Sequence, residues 1–276
     1  MIPSMVLTFR EFLEATLVIV VILSYLKRTG HARHAKNVWY GAGIGVICSV
    51  ALAVLFGLVS GGLGAGAEEV FEGVMMLIAV ALLTWMIVWM MAQRTVAKEL
   101  ERKVSRELDK RQALGVILLV AVAVLREGIE TVIFLYAASF AGAADLGGAV
   151  MGGLAAVALG YLLFTGAKRV RLKAFFQITS VILILFAAGL TSHALLEFQK
   201  AGVLSPIVEH LYDVTWIVSK KSTMGGILSS LFGYTGKPSL TEMTGYLGYL
   251  SMTYALYRGM GRLQGRAAAV PGAERG

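Results

Sequence analysis

Long apolar segments recur along this sequence and strongly limit what the chain can fold into. Seven of them lie near residues 5–27, 38–58, 69–91, 113–137, 147–166, 174–197 and 242–258. The length of each segment is close to the roughly 20 residues that an α-helix needs to cross a hydrocarbon core of about 30 Å. Charged residues make up only 15% of the chain, whereas soluble proteins carry about 25%, and the mean hydropathy is +0.75. We therefore predict an all-α polytopic membrane protein with seven transmembrane helices.

The basic residues indicate how these helices are oriented. Lys and Arg cluster after the first, third, fifth and seventh segments, whereas the connections SGGLGAGA and SFAGAADLG after the second and fourth contain none. Because cytoplasmic loops retain positive charge, this alternation predicts an outer N-terminus and a cytoplasmic C-terminus in the cell membrane. The same placement accounts for the net charge of +8, so no nucleic-acid partner is expected. The only cysteine, Cys48, excludes an intrachain disulfide.

Two charged pentads interrupt the first and fourth apolar segments: REFLE at residues 10–14 and REGIE at residues 126–130. If REFLE lay outside the membrane, only the twelve residues from Ala15 to Leu26 would remain to cross it, about 18 Å of helix. That length is too short for a hydrocarbon core. REGIE is flanked by uninterrupted apolar sequence on both sides. We therefore predict that both pentads lie inside the bilayer.

Each pentad combines one arginine with two glutamates. In the first, Glu11 and Glu14 are spaced i,i+3 and Arg10 and Glu14 i,i+4, so a helix can direct both carboxylates at one cavity. Charges within a membrane usually face such a cavity and mark an ion path. When ionised, each pentad carries a net charge of −1, so the two together lack two positive charges that a bound cation would supply. A buried salt bridge that fixes helix packing is the alternative, and it explains only one glutamate per pentad.

The type of ligand indicates the type of cation. Carboxylate oxygens suit Fe(III), Mg, Ca or Mn, whereas Cu(I) and zinc favour Cys, Met or several His. The third segment is rich in methionine, which could suggest a soft-metal path, but methionine at helical spacing usually fills a core. We therefore predict a hard cation at the pentads and assign the methionines to packing: Met75, Met76, Met86, Met90 and Met91.

The order of features repeats along the chain. A segment with a pentad is followed by a glycine-rich segment in both halves, at Gly41 and Gly45 in the first and at Gly148 and Gly152 in the second. Because each half contains three helices, the second half must be inverted in the membrane, which places a substrate site near the midplane. We predict a first repeat at 1–91, a cytosolic linker helix at 92–112, a second repeat at 113–197, an external loop at 198–241 and a seventh helix with a cytosolic tail at 242–276. A short apolar run in the external loop, GGILSSLFGY, is predicted to be interfacial or re-entrant.

Further ionisable residues lie near the ends of the third and sixth segments that are predicted to face outward. Glu68, Glu69 and Glu72 lie at the start of the third segment, and His193 and Glu197 are spaced i,i+4 in the sixth. If these segments are neighbours, the side chains could form an outer mouth that concentrates cations. The alternative is structural, because glutamates stabilise helix N-termini and an interfacial histidine is often simply hydrogen-bonded.

Several stretches of the chain resemble one family of transporters. The two RExxE pentads, EEVFEG, LTWMIVWM, HALLEFQKAG and GYTGKPSLTEMTGYLGYL are similar to the oxidase-dependent iron transporters, which include the high-affinity iron permeases of fungi and the bacterial Efe-type permeases. The resemblance covers nearly the whole chain. It implies iron permeation with glutamate ligands from both pentads beside an arginine in each: Glu11, Glu14, Glu127 and Glu130, with Arg10 and Arg126. It also implies a further iron-binding element at Glu69 and Glu72.

The resemblance also implies how the protein would work. Iron is expected as the transported substrate, as Fe(III) supplied by a separate ferroxidase or an external delivery protein, because nothing in the chain can oxidise iron. No enzyme activity and no tightly bound cofactor are expected. The alternatives are transport of another metal cation such as Mn(II) or Pb(II), or a membrane subunit that senses metal without transporting it. If the chain is bacterial, its place is the inner membrane.

Overall fold

Seven long helices make up most of the part of the chain that the computed structural model describes. That part comprises residues 1–64, 66–92, 113–165, 172–205 and 239–268, with 102, 104, 105, 225, 228, 229 and 233. The helices are α1 (Ile2–Arg28), α2 (Ala35–Gly61), α3 (Ala67–Ala92), α4 (Ala113–Phe140), α5 (Leu146–Phe164), α6 (Leu172–Lys200) and α7 (Leu240–Ala268). A 3₁₀ turn, Ala32–His34, precedes α2. The predicted all-α membrane fold is confirmed, and the seventh helix continues ten residues beyond the predicted end at 258.

Length and composition identify four stretches of these helices as able to cross a membrane: Ala32–Gly61, Ala67–Trp89, Leu146–Phe164 and Phe176–Lys200. Helices α1 and α4 are also long, with 27 and 28 residues, or about 40 Å each. The pentads interrupt their apolar sequences, beginning eight residues after the start of α1 and thirteen after the start of α4. The pentads therefore lie within these helices and not at their ends.

Four helices form the interior of the bundle and two lie at its periphery. Buried apolar side chains of α1, α3, α4 and α6 pack into one cluster that includes Leu7, Leu83, Phe134 and Phe186. Helices α2 and α5 instead direct large apolar side chains outward. Such an exterior suits a lipid environment, in which apolar side chains need no burial. Three methionines of α3 are buried, as expected for packing residues: Met75, Met76 and Met86.

The packing partners of the helices follow a regular pattern. Helix α1 packs mainly against α5, α2 against α4, and α3 against α6, while α1 and α4 also contact each other. Exchanging the two halves of the chain, so that α1, α2 and α3 take the places of α4, α5 and α6, leaves this pattern unchanged. The pattern supports the proposal of two related three-helix repeats, each of which packs its pentad helix against the glycine-rich helix of the other.

Close glycine contacts show which residues of the two halves correspond to each other. A Cβ at Gly41 would lie 2.5 Å from the carbonyl oxygen of Ile117, and a Cβ at Gly148 would collide with that of Met1. One turn later, Gly45 lies against Ala121 and Val124 of α4, and Gly152 in the same way meets α1 at Met5 and Thr8. The α1 contacts and their α4 counterparts are 116 residues apart in both turns, which is also the separation of Arg10 and Arg126. In each pair of helices, the contacts move toward the C-terminus of both helices from one turn to the next. Helices α1 and α5 are therefore parallel, as are α2 and α4.

The seventh helix packs on the outside of the repeats. It contacts α6 most closely, and Tyr249 also forms a hydroxyl hydrogen bond of 2.9 Å with Thr84 of α3. Its N-terminus carries a capping box, in which the backbone N–H of Ser239 donates to the Glu242 carboxylate and Ser239 Oγ accepts from the backbone N–H of Glu242. These contacts attach α7 to both α3 and α6.

The predicted re-entrant run has one informative described residue. Gly233, with φ +67°, lies so close to α6 that a Cβ on it would sit 2.6 Å from the Cα of Gly189, which is buried in the interior of that helix. Gly233 therefore lies against the middle of α6. The rest of that run, most of the predicted linker helix at 92–112 and the tail after 268 lie outside the described residues, so those predictions stay predictions.

Candidate metal site

The two pentads meet where α1 and α4 contact each other in the centre of the bundle. One carboxylate oxygen from each of Glu11, Glu127 and Glu130 lies within 4.8 Å of the others. We call these three residues the carboxylate triad. Since α1 supplies one member and α4 supplies two, the triad depends on the packing of the two repeats rather than on either alone. Three oxygens at this separation can coordinate a single cation.

Two members of the triad, Glu11 and Glu127, are buried with few hydrogen-bond donors, whereas Glu130 is half-buried. Glu11 is fully buried and Glu127 is 5% exposed. Among the described residues, no N–H group and no Ser, Thr or Tyr hydroxyl reaches either carboxylate oxygen of Glu11 or the Oε2 atom of Glu127. Burial of an unpaired carboxylate is costly, because the group loses water without gaining a donor. A metal cation at the triad would satisfy these oxygens, so the residues present fit the predicted metal substrate.

The arginines of the two pentads differ in their surroundings. Arg126 Nε lies 3.2 Å from Glu127 Oε1 and 3.3 Å from Glu130 Oε1, and its side chain is 51% exposed. Arg10 is fully buried, and its Nε donates to Glu14 Oε1 at 3.4 Å. Glu14 is not part of the triad, yet it is close enough to interact electrostatically with the pentad glutamates of α4. When ionised, the four glutamates and two arginines leave the site with a net charge of −2.

Small residues allow a third helix to approach the site. A Cβ at Gly128, in the middle of REGIE, would collide with the Ser49 hydroxyl of α2. The corresponding residue of REFLE is Phe12, whose ring lies 3.3 Å from the position that a Cβ at Gly153 would take. The middle residues of the two pentads therefore serve packing, and the sequence difference between REFLE and REGIE reflects their different neighbours.

The predicted outer residues form a separate group near the N-terminus of α3 and the C-terminus of α6. Glu72 interacts electrostatically with Glu197, Glu68, Lys200 and Glu69, which confirms that the ends of α3 and α6 are neighbours. Glu197 is buried and forms an ion pair of 2.7 Å with Lys200.

Two of the outer residues also have structural roles. Glu69 accepts a hydrogen bond from the backbone N–H of Gly66 at the start of its own helix. His193 is buried, and its Nδ1 lies 3.0 Å from the carbonyl oxygen of Gly189. A metal-binding role for this group stays a prediction.

Two residues at these sites were missed by reasoning from the sequence. Lys200 neutralises Glu197, a pairing that its i,i+3 spacing could have indicated. Trp89 of α3 lies with its ring centroid 5.6 Å from Arg126 Cζ, a cation–π contact. No sequence pattern points to this second contact, because it joins two helices that only the fold brings together.

Known proteins resemble this chain over nearly its whole length. Residues 1–267 match the Iron permease FTR1 family. The ferrous iron permease EfeU of Escherichia coli O157:H7 is 36% identical over 249 residues, which cover 87% of this chain and 89% of that protein.

A second relative matches equally widely. The ferrous iron permease EfeU of Yersinia pestis is 32% identical over 255 residues, which cover 90% of each chain. These relatives are named as permeases and not as enzymes, and no solved structure matches the chain. The match over nearly the full length, on a multi-pass helical fold, shows that the chain belongs to the iron permease FTR1 family.

Proposed function

We propose that this protein moves iron across the membrane into the cytoplasm and that the carboxylate triad binds the ion during passage. The observation that carries the proposal is the meeting of three carboxylates from two helices in the centre of the bundle, with buried oxygens that no described donor reaches. A purely structural ion-pair network would pair each carboxylate with a cationic or hydrogen-bonding group. The triad instead leaves oxygens available to a cation.

The surrounding residues suggest how the ion would be collected and released. In this proposal, the outer group of Glu68, Glu69, Glu72 and Glu197 concentrates iron at the external face. The ion then reaches the triad and Glu14 at the midplane, between the repeats 1–91 and 113–197. Rocking of one repeat against the other would open the site inward. The arginines limit the net negative charge of the site, so the ion is bound weakly enough to leave.

The charge of the site favours a divalent ion. The four glutamates and two arginines leave −2, which Fe(II) would neutralise and Fe(III) would overcompensate. Both relatives described above are named ferrous iron permeases. We therefore propose Fe(II) as the ion bound at the triad. Fe(III) supplied by a separate ferroxidase, as predicted from the family resemblance, is the second candidate, and the hardness of the carboxylate donors favours it.

The first test is uptake of radiolabelled iron by proteoliposomes. We expect Glu130→Gln to reduce the initial rate about tenfold or more, because loss of one charged ligand in a site of low dielectric exceeds the 1.4 kcal/mol that a factor of ten requires. The matched control is Glu68→Gln, which removes a carboxylate from an exposed position and should reduce uptake far less. Equal uptake by the wild type and Glu130→Gln would contradict the role of the triad.

The same vesicles distinguish the candidate substrates. Iron offered with ascorbate under anaerobic conditions tests Fe(II), and ferric citrate without a reductant tests Fe(III). Excess Mn(II) or Pb(II) should compete weakly if iron is the substrate, and strong competition would favour the alternative metals. Saturable iron binding to the purified protein without any uptake would instead support a sensing subunit and contradict a permease.

A further inference from the structure

The guanidinium of Arg126 is held by two kinds of partner. Its Nε lies within 3.3 Å of carboxylate oxygens of both Glu127 and Glu130, two members of the triad. Its Cζ lies 5.6 Å from the centroid of the Trp89 ring, which belongs to a different helix. Arg126 therefore joins the metal site on α4 to an aromatic residue on α3.

A cation that enters the triad competes with Arg126. Pairing with the guanidinium occupies a lone pair on the Oε1 atoms of Glu127 and Glu130, so an ion that binds these oxygens weakens their pairing with Arg126. Electrostatic repulsion between the metal and the guanidinium acts in the same direction. Arg126 has room to withdraw, since its side chain is 51% exposed, whereas Arg10 is fully buried.

An aromatic ring offers a displaced guanidinium a favourable contact. The face of a tryptophan ring attracts cations, and Arg is the commonest partner in such pairs. The ring of Trp89 is already within range in the structure, so a guanidinium that releases the carboxylates can move fully onto its face and strengthen this contact. Withdrawal of Arg126 would cost more if the ring were absent.

We infer that Trp89 is a positioning residue that receives the guanidinium of Arg126 when a metal cation takes the carboxylates of Glu127 and Glu130. The inference rests on the proposed function, because it assigns Trp89 to the same cation site. It requires no direct contact between Trp89 and the ion.

The test is the equilibrium affinity of the purified full-length protein for Fe(II), measured anaerobically by titration calorimetry. We expect Trp89→Leu to raise the Kd about three- to tenfold, in line with the strength of a partly buried cation–π contact. Trp89→Phe keeps an aromatic face and should restore much of the affinity. The matched control is Trp85→Leu, one turn earlier on α3, where the tryptophan is 71% exposed and should leave the Kd unchanged.

A double-mutant cycle separates this role from a general effect on folding. If Trp89 acts through Arg126, then Trp89→Leu should not change the Kd further in a protein that already carries Arg126→Gln. Additive effects of the two substitutions would overturn the inference, and so would an unchanged Kd in Trp89→Leu. Absence of Fe(II) binding by the wild type would overturn the proposed Fe(II) site and this inference with it, whereas wild-type binding with an additive cycle would overturn only the inference.

Discussion

At the scale of single residues, Glu11 best shows the conflict between stability and binding in this site. It is fully buried, and neither of its carboxylate oxygens has a donor among the described residues. It nevertheless lies beside two other carboxylates, Glu127 and Glu130, which repel it when ionised. A buried carboxylate of this kind lowers the free energy of unfolding. Such a residue is expected at a binding site, where function requires it in spite of this cost.

Replacement of Glu11 by glutamine should therefore separate stability from binding. We expect Glu11→Gln to raise the unfolding temperature of the iron-free protein, by the few degrees that correspond to about 1 kcal/mol, because a neutral amide costs less to bury than an unpaired carboxylate. Added Fe(II) should stabilise the wild type but not this variant, since the triad has lost a charged ligand. Thermal unfolding of the detergent-solubilised protein, followed with and without Fe(II), measures both effects.

Glu14→Gln is the matched control for that experiment. Glu14 lies one turn further along α1 and forms an ion pair with the buried Arg10. Weakening a buried pair by removing one partner's charge is destabilising, so this variant should unfold at a lower temperature than the wild type. If both variants changed the unfolding temperature in the same direction, the distinction between an unpaired and a paired carboxylate would be wrong.

The sequence predicted the residue types of the site better than their arrangement. Spacing within one helix was enough to place two glutamates and one arginine of each pentad on neighbouring positions. The i,i+4 spacing allowed the Arg10–Glu14 pair, but it could not show that Glu11 joins Glu127 and Glu130, because that meeting depends on the neighbouring helix. The contact between Arg126 and Trp89 was unpredictable for the same reason.

At the scale of helices, glycines on α2 and α5 allow these helices to pack closely against the pentad helices α4 and α1. A Cβ at Gly45 would lie 2.8 Å from the Cβ of Val124 and 2.9 Å from the carbonyl oxygen of Ala121. Gly152 takes the equivalent place between α5 and α1. The predicted small-residue motifs at Gly41 and Gly45 and at Gly148 and Gly152 are thus confirmed as close packing sites, and these contacts set how the pentad helices are held.

A single methyl group at Gly45 should disturb this packing. We expect Gly45→Ala to destabilise the protein by about 1–3 kcal/mol, as overpacking in a close-packed interior does, and to reduce iron uptake by displacing α4. Gly43→Ala is the control, because a Cβ at Gly43 on the same helix has no neighbour within 4 Å. It should be neutral or slightly stabilising, since alanine favours a helix more than glycine. Equal unfolding temperatures for the two variants would contradict the close-contact interpretation.

At the scale of the whole molecule, the directions of the helices agree with seven alternating membrane crossings. The glycine contacts make α1 parallel to α5 and α2 parallel to α4. Alternating crossings require this relation, because odd-numbered helices run in one direction and even-numbered helices in the other. The absolute orientation is predicted by the distribution of Lys and Arg.

That orientation can be tested with single cysteines in a Cys48→Ser background. Ala32 and Ala67 are both exposed; Ala32 lies in the first connection and Ala67 is the first residue of α3, so the two flank opposite ends of α2. We expect a membrane-impermeant maleimide to label Ala67→Cys in spheroplasts, and to label Ala32→Cys only after the membrane is permeabilised. The reverse labelling would mean that the N-terminus is cytoplasmic. It would also move the outer acidic group to the inner face.

The sequence alone determined the number and approximate bounds of the helices, the mid-helix position of the pentads and the repeated order of features. Each of these follows from local properties, namely the length of apolar segments and the spacing of residues along one helix. Only the tertiary structure decided that each pentad helix packs against the glycine-rich helix of the other half, that three particular carboxylates meet, and that Trp89 contacts Arg126. These contacts join residues distant along the chain, so they depend on side-chain shape at helix interfaces, which periodicity within a single helix does not specify.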